Sequence, residues 1–349
     1  MLFARRDRLS LGIVVFELTD ACNQACRFCY NHFKGVTGCA APLPPDYRMA
    51  QRTLGKLLSQ ATVGSLSLSG GEPMLLPNIH DLVLKARFAG SNVNVLTNGT
   101  LLTDNDIAIF SDLGVGLIQI PLLSSDATIH DALTSLPGSW ERAMSAARRV
   151  AARRKGWLTP VLIITRENTA TIESTLDMYA ELDPENILVN RFNIGGLGIA
   201  NAGALSLSHR ELREAFGRVD RKLGELGLRA HSGVCTPLCI LSPSEYRNIS
   251  FTQCTTELRS RPLTINYRGD VRFCNHSPRV LGNIHAESLE AILQRSSSDG
   301  YFDARPTACA NCELWERCRG GCRAASEQLY GTFDRVDPLL EEETFSSNK

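Results

Sequence analysis

Leu11-Gly12-Ile13-Val14-Val15-Phe16-Glu17-Leu18-Thr19-Asp20-Ala21-Cys22-Asn23-Gln24-Ala25-Cys26-Arg27-Phe28-Cys29-Tyr30 joins an apolar, β-branched run to three cysteines at C-x3-C-x2-C spacing. The run over 11–18 has the composition of a buried strand. The cysteines then fall on the loop at that strand's C-terminal end, where sheets with helical crossovers carry their chemistry. Outward from this unit the same rhythm continues to about residue 195. Short apolar runs predict strands over 65–69, 92–97, 117–121, 160–165 and 186–192. Amphipathic stretches between and after them predict helices over 47–59, 78–89, 104–112, 139–154, 169–181 and about 208–226, with Thr103, Ser139 and Ser208 as N-caps. Six strands and six helices make an α/β fold, a partial (β/α)6 TIM-like barrel. After about residue 227 long helices give way to Cys, Pro, Gly and short strands. This shift predicts a boundary, with a barrel over 1–227 and a smaller Cys-rich α+β domain over 228–349.

The chain of 349 residues is 43% hydrophobic, enough to fill cores of this size. Its 37 basic residues balance 37 acidic ones, so no global field draws it to nucleic acid or to an anionic membrane. Arg5, Arg6 and Arg8 before an apolar stretch imitate a secretory signal. Glu17 and Asp20 interrupt the region where cleavage would fall, and no run approaches the roughly 20 apolar residues of a membrane span. A cytoplasmic location is therefore expected. In such a chain, twelve cysteines point to metal ligation before disulfides. Seven lie at 22–29 and 309–322, four more stand at 235, 239, 254 and 274, and Cys39 lies apart.

Three thiolates on one short loop can hold three irons of a cubane and leave the fourth open. Cys22, Cys26, Cys29 and nearby His32 could instead close a zinc tetrahedron. A second motif bears on the choice: Ser69-Gly70-Gly71-Glu72-Pro73 ends the second predicted strand, one βα unit after the cysteine loop. Together the two resemble the signature of the radical S-adenosylmethionine (SAM) superfamily, C-x3-C-x-φ-C with Phe28 at the aromatic position, followed by a GGEP segment. The resemblance implies that SAM chelates the open iron of a [4Fe-4S] cluster through its amino and carboxylate groups. The reduced cluster then donates an electron, and a 5′-deoxyadenosyl radical abstracts hydrogen from the substrate. It also implies that Gly70, Gly71, Glu72 and Pro73 bind the methionine amino group.

Thr97-Asn98-Gly99 resembles the TNG segment near the SAM pocket of relatives, which makes Thr97 and Asn98 candidate cofactor contacts. Arg191, beside Gly195-Gly196, is a candidate for the SAM carboxylate. The stretch Pro121-Leu122-Leu123-Ser124 departs from the family: Pro121 and Leu123 replace the usual Ser and Asp, leaving Ser124 or Gln119 to stand in. His130 and Asp131 read as structural holders of the next helix.

Downstream, Cys254, the Gly269-x4-Cys274 segment and Cys309-x2-Cys312-x5-Cys318-x3-Cys322 resemble the SPASM domain, which in relatives holds one or two auxiliary [4Fe-4S] clusters. The resemblance assigns Cys254, Cys274 and Cys322 to a first auxiliary cluster, completed by Cys239 or Cys235. Cys309, Cys312 and Cys318 go to a second. The pattern normally ends on one more cysteine after an Asp-Pro turn, and Val336-Asp337-Pro338-Leu339 carries none. That leaves an open iron, an oxygen ligand such as Asp337, or no second cluster; a four-cysteine zinc knuckle is the rival.

The expected activity is radical SAM modification of a ribosomally made peptide by cross-linking, oxidation or epimerisation. A small metabolite as substrate and a non-catalytic zinc scaffold are the competing readings. Expected partners are an electron donor such as a flavodoxin or ferredoxin and, since only ten residues precede the first strand, a separate leader-recognition protein. The basic run Arg148, Arg149, Arg153, Arg154 and Lys155 lies late in a helix and reads as a solvated face.

Overall fold

The computed structural model describes residues 8–35, 44–257, 259–297 and 300–341; Cys39 lies outside them. Six parallel strands form its centre: β1 (Leu9–Glu17), β2 (Ala61–Ser69), β3 (Asn92–Leu96), β4 (Ile118–Pro121), β5 (Leu158–Ile164) and β6 (Ile187–Arg191). All six match predicted spans. Helices Tyr47–Gln60, Ile79–Phe88, Asp104–Asp112, Ser139–Arg153, Ile172–Ala180 and His209–Leu226 follow them in turn. Leu66, Val93, Val95, Ile118, Ile120 and Leu162, fully buried, belong to one apolar core. Burying such side chains contributes about 1.5–3 kcal/mol each.

Local chemistry fixes the ends of these elements. Thr103 and Asp106 form a reciprocal capping box, as do Ser208 and Glu211, and Gly227 ends the last barrel helix at φ 67°. Ser139 departs from its predicted role. Gly138 occupies the N-cap, while the Ser139 hydroxyl bonds Asp131 and Thr134. A short helix over Ala127–Thr134, capped by Asp126, was not predicted, because eight residues carry too little periodicity to signal one.

The sheet does not stop at six strands. β7 (Ala230–Ser232) and β8 (Ile249–Phe251) extend it beyond β6, while β9 (Leu263–Asn266) runs parallel to β1 on the other edge and leads to antiparallel β10 (Asp270–Arg272) and β11 (Val280–Asn283). The order is β11-β10-β9-β1-β2-β3-β4-β5-β6-β7-β8. The segment after Gly227 thus adds strands to both edges of the barrel sheet. Glu17 at the end of β1 forms a buried ion pair with Arg272 on β10.

Candidate functional site

β1 ends level with β2, Glu17 opposite Ser69, so the loops that follow them meet. Gly71 N–H donates to the Thr19 carbonyl at 2.7 Å and Glu72 N–H to the Ala21 carbonyl at 2.8 Å. A Cβ at Gly71 would lie 2.0 Å from the Ala21 oxygen, and one at Gly70, where φ is +131°, would lie 2.5 Å from the Thr19 oxygen. The glycine pair is therefore required by the cysteine loop, which crosses it at backbone distance. Gly71→Ala should displace residues 19–22 and cost about 1–3 kcal/mol. Iron content and thermal unfolding of the variant would check this; wild-type values for both would refute it.

Glu72 is buried, and burial pushes its carboxyl pKa up against the pull of three hydrogen bonds, from Thr97 Oγ1 (2.6 Å), Asn98 N–H (2.8 Å) and Met74 N–H (3.0 Å). Asn98 Nδ2 in turn donates to Asn23 Oδ1, and Asn23 Nδ2 to Thr100 Oγ1, both at 2.8 Å. The loops after β1, β2 and β3 are thereby tied into one network around the three thiols. Thr97 and Asn98 serve this network, and Glu72 is its centre. Asn23 was missed by sequence reasoning, although it lies inside the cysteine motif.

Burial raises the Cys26 and Cys29 thiol pKa values, with the neighbouring cysteines adding to the effect and Lys34 opposing it. Lys34 Nζ bonds the Gln24 carbonyl, and Gln24 N–H donates to Cys22 Sγ at 3.4 Å. The donor set is therefore three thiols on one loop, with an amide N–H turned toward one sulfur and an ammonium held on the loop's backbone, and it suits a metal-bound thiolate. Phe28 packs with Leu123, Leu133, Phe192 and Ile194 in a small buried cluster beneath the loop.

Three other candidates lie elsewhere. His32 Nδ1 bonds the Arg272 guanidinium, and burial plus that cation lower its pKa to about 4, so it is held away from the thiols as a neutral acceptor. Ser124 is fully buried; its hydroxyl pairs with Thr171 and accepts from Asp126 N–H, which makes it a turn residue. Arg191 is buried on the auxiliary side. It bonds Thr236 Oγ1, the Phe192 and Cys235 carbonyls and Asp337.

His130 and Asp131 are structural as expected. Asp131 accepts from Ser139 Oγ and Trp140 N–H, and His130 Nδ1 accepts from Leu123 N–H at 3.1 Å. Burial lowers the His130 pKa to about 4 from 6.5. Between these values the unfolded chain binds the proton and the folded one does not, so stability falls as pH drops from about 6.5 toward 4. At pH 5 the loss from this group is about 2 kcal/mol. Denaturation at pH 7 and pH 5 should show that part of the slope missing in His130→Gln; an identical slope would refute the assignment. The basic helix end is paired as well: Arg149 with Asp104, Arg153 with Asp112 and Lys155 with Asp183, while Arg154 bonds carbonyls of 115 and 116.

The eight C-terminal cysteines separate into two sets. Cys235 and Cys274 pack against the buried cluster that contains Cys322, and the neighbouring Cys254 together with burial raises the Cys235 thiol pKa. Arg261, itself buried, stands 3.9 Å from Cys254 Sγ, and Asn193 Nδ2 donates to Cys322 Sγ at 3.4 Å. Cys239, Cys309, Cys312 and Cys318 line a separate recess. Among the described residues, no three Cys, His, Asp or Glu side chains stand close enough together to hold one metal ion. Zinc, at about 2.3 Å from each sulfur, demands such closeness, whereas a polynuclear cluster spreads its thiolates.

A model of the radical SAM superfamily matches residues 16–179, and one described as an iron-sulfur cluster-binding domain, SPASM, matches residues 254–319. This chain is a radical SAM enzyme. The PqqA peptide cyclases of Xanthomonas euvesicatoria pv. vesicatoria (strain 85-10) and Gluconobacter oxydans (strain 621H) are each 26% identical to this radical SAM chain, over 94% and 93% of its length and 87% and 88% of theirs. Solved structures with a similar fold include Streptococcus suis SuiB bound to S-adenosylmethionine, with TM-score 0.70, 16% identity, and 94% of this chain and 76% of that one covered. Another is anSMEcpe with bound AdoMet, with TM-score 0.71, 14% identity, and 97% and 95% covered. No helix among the described residues of the enzyme is long and apolar enough to cross a membrane.

Proposed function

We propose that this enzyme cleaves SAM at a [4Fe-4S] cluster held by Cys22, Cys26 and Cys29 and modifies a ribosomally made peptide, most directly by forming a cross-link within it. The observation that carries the first part is the backbone pairing of the cysteine loop with Gly71 and Glu72. It places three thiols beside a glycine pair that cannot accept a side chain. The peptide substrate is supported by the relatives named PqqA peptide cyclase, which align over nearly the whole chain.

Once reduced, the cluster would supply one electron to split SAM into methionine and a 5′-deoxyadenosyl radical that takes a hydrogen atom from the substrate. The protein's own residues do the positioning. Gly70 to Pro73 would run beside the methionine end of SAM, and Glu72 keeps Thr97 and Asn98 in register with it. Asn31 Nδ2, bonded to the Gly70 carbonyl at 3.1 Å, fixes the far side of the loop. Cys235, Cys254, Cys274 and Cys322 would hold a first auxiliary cluster, with Arg261 and Asn193 directed at its sulfur. The reading includes a cytoplasmic location, reduction by a flavodoxin or ferredoxin, a separate leader-recognition protein, and division at Gly227 into a SAM core and an auxiliary cluster domain.

Anaerobic reconstitution with iron and sulfide, then reduction with SAM, tests it. The expected products are 5′-deoxyadenosine and, when a precursor peptide encoded beside the gene is added, a peptide lighter by two hydrogen atoms. Zinc in place of iron, or turnover of a sugar, nucleoside or amino-acid derivative while the peptide stays unchanged, would sink the respective half.

A further inference from the structure

Beyond Cys322 the chain offers no thiol to close the set of Cys309, Cys312 and Cys318. The recess that gathers these three also contains Cys239, between apolar walls that include Trp315 and Leu340. It holds about 280 Å³ of space free of atoms, partly open to solvent, and no carboxylate, imidazole or hydroxyl side chain lines it among the described residues. We propose that Cys239 is the fourth thiolate of a second auxiliary cluster, with Cys309, Cys312 and Cys318, so that this cluster has no open iron. The proposal rests on the cluster reading of the C-terminal cysteines given above.

The position of Cys239 is set by contacts on both sides of it. Leu238 N–H donates to Cys318 Sγ at 3.4 Å, so the residue before Cys239 already reaches the sulfur of a member of the set. The Pro237 carbonyl accepts from Ile240 and Leu241 N–H at 2.9 and 3.1 Å, which closes a tight turn around Cys239. From the barrel helix His209–Leu226, Arg213 clamps that turn, with Nε to the Ile240 carbonyl at 2.7 Å and an Nη to the Cys239 carbonyl at 2.8 Å. Four residues earlier Cys235 packs with Cys274 against the cluster that contains Cys322, so one turn at Pro237 sends its two cysteines to different sets.

The oxygen ligand suggested by the sequence is already committed. Asp337 is buried; one carboxylate oxygen accepts from Arg191 and from Cys322 N–H at 2.7 Å, and the other from Leu339 N–H at 2.9 Å. It braces the turn before Cys322. A cluster closed by four thiolates offers the substrate no coordination site, which leaves it electron transfer or structural support as its role.

The test uses full-length protein with Cys22, Cys26 and Cys29 replaced by alanine, reconstituted anaerobically, so that only auxiliary clusters report. This parent should hold about eight irons per chain. Its dithionite-reduced electron paramagnetic resonance spectrum should show two signals, and cyanide should leave both unshifted. Adding Cys239→Ala or Cys309→Ala should remove the same signal and about half the iron, whereas Cys235→Ala and Cys274→Ala should remove the other. Cys239→Ala leaving both signals, removing the one lost with Cys235→Ala, or removing both where Cys309→Ala removes one, would overturn the proposal. A cyanide shift of the signal that Cys309→Ala removes would also overturn it. Zinc, or no iron, in the parent would sink the cluster reading itself; about eight irons with a different grouping would sink only the assignment of Cys239.

Discussion

Replacing Cys22, Cys26 and Cys29 together with alanine is expected to reduce 5′-deoxyadenosine formation to background while iron stays bound at the C-terminal cysteines. The loop carries all three thiols within eight residues, and the nearby imidazole of His32 is turned to Arg272. Losing them removes the electron source, and no partial catalysis remains to fall back on. Iron per chain should drop from about twelve to about eight, one cubane of three. The auxiliary sites survive because their cysteines depend on other contacts: Cys322 on Asn193 and Asp337, Cys318 on Leu238. Product formation and iron analysis on the same preparation check both statements. Iron falling to zero would show that the C-terminal cysteines hold no cluster of their own.

Arg272→Ala is expected to destabilise the protein by about 3–5 kcal/mol, because it strands a buried carboxylate. Arg272 is nearly inaccessible to solvent, and it bonds Glu17, the Ser277 carbonyl and His32. Burial pushes the Glu17 carboxyl pKa up, and Arg272 draws it back. Glu17 is the last residue of β1, directly before the loop that carries the three thiols, so an unpaired charge there should also disturb cluster loading. Removing both charges, as in Glu17→Gln/Arg272→Met, should recover part of the loss, since a desolvated pair gains little over a neutral one. Chemical denaturation of the single and double variants decides the matter. A double variant as unstable as Arg272→Ala would mean that the cost comes from packing, not from charge.

The reach of sequence reasoning can be read from individual residues. The six central strands and their helices were legible because each carries its own periodicity, and some helices also carry their own cap, as Thr103 and Ser208 show. The first cysteine motif and the Gly70–Pro73 segment were legible because a handful of consecutive residues holds the whole pattern. β7 to β11, of three or four residues each, were not, since strands that short gain their identity from the edge they join. The partners of Arg191 and Ser124 were hidden for a related reason: their side chains bond Asp337 and Thr171, which are distant in sequence.

The sequence by itself determined the chemistry: three thiolates on the loop after β1, a glycine pair after β2, and a cysteine-rich segment after residue 227. Spacing along the chain suffices there, because the groups that act together are covalent neighbours. Tertiary structure alone decided how the remaining cysteines divide. Cys235 and Cys239 are nearly adjacent in the chain, yet a turn at Pro237, held by Arg213, sends them to different sites. Which sulfur meets which is fixed by the packing of the segment against the barrel helix, a long-range contact that leaves no periodic trace in the sequence.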